Sequence, residues 1–197
     1  MAAVHLFLSP HLDDAILNCG GVMHDLARRG ERVVIVTVMA GEPTDDLPDT
    51  PSLRAVKALW ANGQYLISAR RLEDARAART LGAAVVQMPF LECLFRTARY
   101  GDGSRAPLYP HDDSPFAEYD HADDTRTLLL ERQSPVRREV DTIYAPLCAD
   151  SHVDHRLVRD WSLVLTGAKN APALKFYEEY PSNGNKITVA RALDFYR

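Results

Sequence analysis

The sequence predicts an α/β fold, a mostly parallel sheet with helices on both of its faces. Short apolar runs at 4–8, 32–39, 83–88, 140–147 and 173–177 read as five strands. Segments with helical periodicity lie between them, and strand alternating with helix is the order of a parallel sheet. The second run, with its VVIVTV core, is continuous rather than alternating, the pattern of a strand covered on both faces.

Taken in order, the first strand leads into a helix over 15–29, with Ile16, Gly20, Met23 and Ala27 spaced as one inward stripe. Gly20-Gly21 costs roughly 1 kcal/mol per residue in a helix, and close approach to the sheet is the expected reason for the pair. Arg28-Arg29-Gly30 ends the helix. After the second strand, residues 41–51 are rich in Gly, Pro, Asp and Thr and form a loop, and 52–62 form a short helix. A longer helix over 69–81 is capped by Ser68 and stopped by Gly82. Arg70, Glu73, Ala77 and Leu81 share one stripe of it, so a packing face runs on into charge. That charge is either a surface ion pair at i, i+3 or a contribution to a site.

The third strand is followed by a long irregular stretch at about 90–123, punctuated by Tyr100, Tyr109, Phe116 and Tyr119, which suits a binding element. His111 and His121 within it read as surface histidines. A helix over 124–138, the fourth strand, a helix from 153 to about 165 stopped by Gly167, and the fifth strand complete the reading. The whole of 1–197 reads as one domain, with 90–123 as its insertion.

The chemistry gathers in two turns. Ser9-Pro10-His11-Leu12-Asp13-Asp14 joins the first strand to its helix, and His152-Val153-Asp154-His155 follows the fourth strand. Ligands of open α/β sheets bind at the carboxyl ends of the strands. Two such turns facing one crevice supply mixed nitrogen and oxygen ligands for a metal. A catalytic zinc takes three protein ligands and keeps one position open: His11, Asp14 and His155. Asp13 is left as general base, and His152 as a donor to an oxyanion or a leaving amine. Asp154 is read as the group that orients His152. The plainer alternative is that Asp13-Asp14 and His152 only cap helices.

Composition sets bounds. A net charge of −4 with no basic block argues against nucleic acid as a partner. No apolar run is long enough to cross a bilayer and no signal-peptide layout opens the chain, so no membrane partner and a cytoplasmic location are expected. Cys19, Cys93 and Cys148 are odd in number, lack C-x-x-C spacing and read as reduced thiols.

These motifs resemble those of the LmbE-like, or PIG-L, metal-dependent de-N-acetylases. SPHLDD and HVDH are similar to that family's A-H-P-D-D-E and H-P-D-H. Arg70, Glu73, Ala77, Leu81 and Gly82 match its R-x-x-E-x-x-x-A-x-x-x-L-G. Leu91-Glu92-Cys93-Leu94-Phe95-Arg96 is similar to L-D-A-x-Y-R, and Tyr177-Glu178-Glu179-Tyr180-Pro181 to Y-E-D-x-P.

The resemblance implies a Rossmann-like fold without a dinucleotide, consistent with the absence of G-x-G-x-x-G after the first strand. It implies a zinc ion, one per chain, or iron or another divalent metal in its place, held by His11, Asp14 and His155. Asp13 would be the base, and His152 would stabilise the tetrahedral intermediate, with Asp154 beside it. Arg70, Glu92 and Arg96 would contact the substrate, an N-acetylated amino sugar or glycoconjugate. Two alternatives stay open: a catalytically weak carbohydrate-binding relative, and a metal-dependent hydrolase of another bond. Leu12, Val153 and Ala15 depart from the family pattern, and Ala15 removes a glutamate that could support the metal ligands. The chain ends soon after its fifth strand, so a neighbouring subunit in a homo-oligomer is one source for missing substrate contacts.

Overall fold

The computed structural model of the chain describes residues 2–44, 47, 49–59, 67–133 and 139–179. Five parallel strands form one sheet: β1 (Val4–Ser9), β2 (Arg32–Thr37), β3 (Ala84–Gln87), β6 (Thr142–Pro146) and β7 (Ala173–Tyr177). Their order is β3-β2-β1-β6-β7. The chain builds outward from β1 in one direction and then returns to β1's other side with β6. The gap between β1 and β6 is therefore the switch point at which such sheets bind ligands.

Side-chain alternation along β1 feeds two cores. Leu6 and Leu8 pack with Val36, Ile143, Leu157 and Trp161 beneath α4 (Thr125–Leu130) and α5 (Val153–Thr166). Phe7 faces the other way, with Ile35, Cys19, Met23 and Ala78, beneath α1 (Asp14–Arg28) and α3 (Ile67–Thr80). Trp161 is fully buried, and its indole N–H is satisfied by the Arg132 carbonyl at 2.9 Å.

Several local expectations are corrected. On α1 the buried residues are Ala15, Cys19 and Met23: Met23 lies inward as expected, Ala15 and Cys19 take the buried places expected for Ile16 and Gly20, and Ile16 and Ala27 pack partly buried at the edge of that core. A Cβ on Gly20 would meet only the Leu81 side chain, at 3.5 Å, and one on Gly21 nothing, so neither glycine is required for closeness to the sheet. Helix α3 begins at Ile67, which places Ser68 inside it rather than at its cap. Its buried residues are Ile67, Asp74 and Ala78, and Glu73 is exposed. Helix α4 stops at Leu130, well short of the expected 138, with 134–138 outside the described residues. Helix α2 (Pro51–Leu59) matches the start of the expected 52–62 segment, and residues 60–66 lie outside the described ones.

The stretch at 90–123 carries structure of its own. It holds a two-stranded antiparallel ribbon of β4 (Thr97–Arg99) and β5 (Arg105–Pro107), and 3-10 turns at Cys93–Phe95 and Ser114–Phe116. Tyr109 is 2% exposed and donates to Asp123 at 2.8 Å, while Arg156 lies 4.6 Å over the Tyr119 ring. Contacts with the start of α5 set the stretch beside the carboxyl end of β6: the Cys93 N–H donates to Asp154 at 2.9 Å, and the Phe116 ring packs against His152. Among the described residues, no helix is long and apolar enough to cross a membrane.

Candidate functional site

The turn after β1 is held in an unusual backbone shape. Asp13 adopts φ 86°, in the left-handed region, where a residue with a β-carbon is strained. Ser9 stabilises the bend by donating to the His11 carbonyl at 2.7 Å and accepting the Ala15 N–H at 2.9 Å. Asp74 of α3 accepts the Asp13 N–H at 3.2 Å and is itself held by Thr37 and Gln87. The Asp13 side chain makes no capping bond to α1, so it is free of the plain capping role. His152 does cap α5: its Nδ1 accepts the Asp154 N–H at 3.2 Å.

Folding brings the two turns together across the β1/β6 gap. His11 Nδ1, Asp14 Oδ2 and His155 Nε2 form a nearly equilateral triangle with edges of 3.3, 3.4 and 3.4 Å. A tetrahedral ion with bonds of about 2.0–2.1 Å spaces its ligands by about 3.3–3.4 Å, so these three atoms fit a zinc-like ion. The His11, His152 and His155 rings also crowd together, with centroids 5.0–5.1 Å apart. Asp14 closes the tighter set, however, and His152 already uses Nδ1 as a helix cap.

Both triangle histidines rest on a carboxylate through their second nitrogen. His11 Nε2 lies 2.9 Å from Asp154 Oδ2, and His155 Nδ1 lies 2.9 Å from Glu179 Oε1. Such partners fix the ring and raise its basicity as a ligand. Asp154 meets His152 through its backbone N–H, while its carboxylate serves His11. Asp154 is completely buried and paired with Arg96, which also bridges to Asp123 at 2.8 Å. Arg96 is thereby consumed inside the protein by two acids.

The electrostatics follow from this packing. Burial alone would lower His11, but hydrogen bonds to Asp14 and Asp154 outweigh it and lift the ring to about 10. Burial would raise Asp14 and Asp154, yet their cationic neighbours hold both below the usual carboxylate range, His155 and His11 in the first case and Arg96 and His11 in the second. Burial pushes His152 well below the usual histidine value. With Nδ1 accepting, a neutral His152 carries its proton on Nε2 and offers a donor there. That nitrogen lies 3.8 Å from the Cys93 sulfur. Burial pushes Asp13 upward in spite of Arg70, and its side chain is 49% exposed.

Arg70 is 13% exposed and donates to the Leu12 carbonyl at 2.9 Å and to Asp13 at 3.2 Å, with Glu92 at 3.7 Å. Glu92 lines a crevice of about 300 Å³ that opens beside His11 and His152. A separate cavity of about 270 Å³ is lined by Arg96 and Asp123 among others and by none of the histidines. Ala15, where the resembling family has glutamate, is fully buried among Phe7, Cys19, Met23 and Tyr177. Its surroundings are apolar, and Asp154 and Glu179 provide the carboxylates that support the histidines. Asp74 and Glu179 were not assigned roles from sequence. Spacing of α3 by fours from Arg70 would have found Asp74, and Glu179 stands in the Y-E-D-x-P-like segment.

The family described as PIG-L, GlcNAc-PI de-N-acetylase, matches residues 6–165. The chain belongs to the PIG-L family. It is similar to 2'-N-acetylparomamine deacetylase of Niallia circulans, 27% identical over 89% of this chain and 66% of that protein. The enzyme of the same name from Streptomyces fradiae is 29% identical over 93% of this chain and 59% of its own length. The chain thus spans roughly three fifths of the length of these relatives. Among solved structures, the zinc-inhibited form of teicoplanin deacetylase Orf2 superposes with a TM-score of 0.75 at 28% identity, covering 91% of this chain and 68% of that one. This PIG-L chain therefore shares its α/β frame with a teicoplanin deacetylase.

Proposed function

We propose that this PIG-L chain is a metal-dependent de-N-acetylase of N-acetylated amino sugars or glycoconjugates, hydrolysing the acetamide with water to acetate and a free amine. The observation that carries the reading is the 3.3–3.4 Å triangle of His11, Asp14 and His155, with Asp13 and His152 beside it. The names of its relatives, 2'-N-acetylparomamine deacetylase among them, support that substrate class. One divalent ion held by the triangle would act as a Lewis acid and lower the pKa of bound water.

The chain's own residues do the rest. Asp13 removes the proton from the attacking water through its half-exposed carboxylate. Arg70 holds that carboxylate, and Asp74 holds the backbone beneath it. His152 donates from Nε2 to the carbonyl oxygen as negative charge builds on it. The leaving nitrogen needs a proton before the C–N bond breaks, and Asp13, protonated in the first step, delivers it. Arg70 and Glu92 border the substrate, whereas Arg96 acts through Asp154 on the alignment of His11.

Incubating the metal-loaded protein with a panel of N-acetylated amino sugars and measuring acetate and free amine tests this reading. Equimolar release of both from at least one compound is expected. Failure to release either, at full metal occupancy, overturns it.

A further inference from the structure

The crevice beside His11 and His152 is lined by apolar and by acidic side chains. Val56 of α2, Leu94, Pro115 and Phe116 are its apolar lining, and Phe116 meets the His152 ring edge-on at 5.3 Å. Glu92 and Asp112 supply its charge, and no Lys or Arg is among the described residues lining the crevice. Arg70 does not change that balance, because Leu12, Asp13 and Glu92 surround its guanidinium.

The two acids differ. Glu92 is buried near Arg70. Asp112 is exposed and is pinned at the rim by Ser52 of α2, a buried residue whose hydroxyl donates to Asp112 Oδ1 at 2.9 Å. No cation pairs with Asp112 among the described residues. A carboxylate fixed in position on a crevice with low-dielectric walls attracts a cation more strongly than one on open surface, and repels an anion.

We infer that the substrate carries a free ammonium group besides its acetamido group, and that Asp112 binds it at the crevice rim. The inference rests on the deacetylase reading and narrows it to cationic amino sugars. The apolar side chains of the lining take the C–H face of a sugar ring, while the ammonium sits over Asp112 and the acetamide reaches the histidines. Anionic glycoconjugates are selected against by the same carboxylate.

Three N-acetylated disaccharides test this, identical except for an ammonium, a hydroxyl or a carboxylate at one position on the non-acetylated ring. The kcat/KM of the metal-loaded full chain is measured for each, for wild type and for Asp112→Asn. The ammonium compound is expected to exceed the hydroxyl compound by about tenfold, mainly through KM, with the carboxylate compound poorest. In Asp112→Asn the ratio of ammonium to hydroxyl compound should fall close to one. Equal or better turnover of the hydroxyl compound by wild type overturns the inference, as does a ratio that survives Asp112→Asn. Hydrolysis of none of the three is a different result: it removes the deacetylase reading and the inference together.

Discussion

Asp154 Oδ2 lies 2.9 Å from Nε2 of His11, joining residues 143 positions apart across the gap between β1 and β6. A matching contact joins Glu179 to Nδ1 of His155 at 2.9 Å. The triangle of candidate ligands is thus held from behind by two carboxylates, each contributed by a segment other than its own histidine's.

Removing such a support should weaken metal binding without abolishing it. Glu179→Gln is expected to lower affinity by ~10–100-fold, and His155→Ala to abolish stoichiometric binding. Titration against a competing chelator measures both. Unchanged affinity in His155→Ala would remove it from the ligand set.

Asp13 and His152 are expected to separate chemistry from metal retention. Asp13→Asn and His152→Ala should keep their metal and lose turnover by ~10²–10⁴-fold. Near-normal turnover by Asp13→Asn at full occupancy would show that another group takes the proton.

Arg96 serves two buried acids, Asp154 and Asp123, and is itself only 5% exposed. Arg96→Ala takes the guanidinium away from two buried carboxylates, and breaking such a buried pair costs about 3–5 kcal/mol. Denaturant titration should show a lower midpoint together with weaker metal binding through His11. A stability equal to wild type would contradict the buried pairing.

Alkaline stability follows from Tyr109 and Tyr119. Burial, with the nearby acids Asp123 and Asp160, pushes both phenols above their ordinary range. The unfolded chain releases these protons near pH ~10 and the folded chain does not, so stability is fully present below that pH and falls as pH rises through it. Thermal melts should show Tm dropping above about pH 10, less steeply in Tyr109→Phe. Ionisation of Tyr109 near pH ~10 in the still-folded protein, seen as a wild-type minus Tyr109→Phe difference spectrum, would contradict this.

The strands, their parallel order and the two site turns were legible because their signals are local: continuous apolar runs, then acids and histidines at strand ends. The residues supporting the site were not. Glu73 carried the family-like spacing, yet Asp74 is the buried acid of α3, because the helix is rotated so that Ile67, Asp74 and Ala78 face inward. Asp154 looked like a partner for its neighbour His152. It does hold His152 by its backbone N–H, but its carboxylate meets His11, a pairing created by strand adjacency that no window along the sequence contains. The Arg96–Asp123–Tyr109 network was hidden for the same reason, inside a stretch whose periodicity is broken by proline and glycine.

Glu179 lies two residues beyond the edge strand β7, and its carboxylate holds both the Cys148 backbone N–H, at 2.9 Å, and the His155 ring. Whatever binds to His155 in the folded chain alone also stabilises the docking of that edge, since ligand binding and local opening are linked equilibria. Metal loading should therefore slow hydrogen exchange at the amides of β7 and Cys148. The outermost strand, one place beyond the β1/β6 gap in the order of the sheet, becomes a reporter of whether the centre is filled.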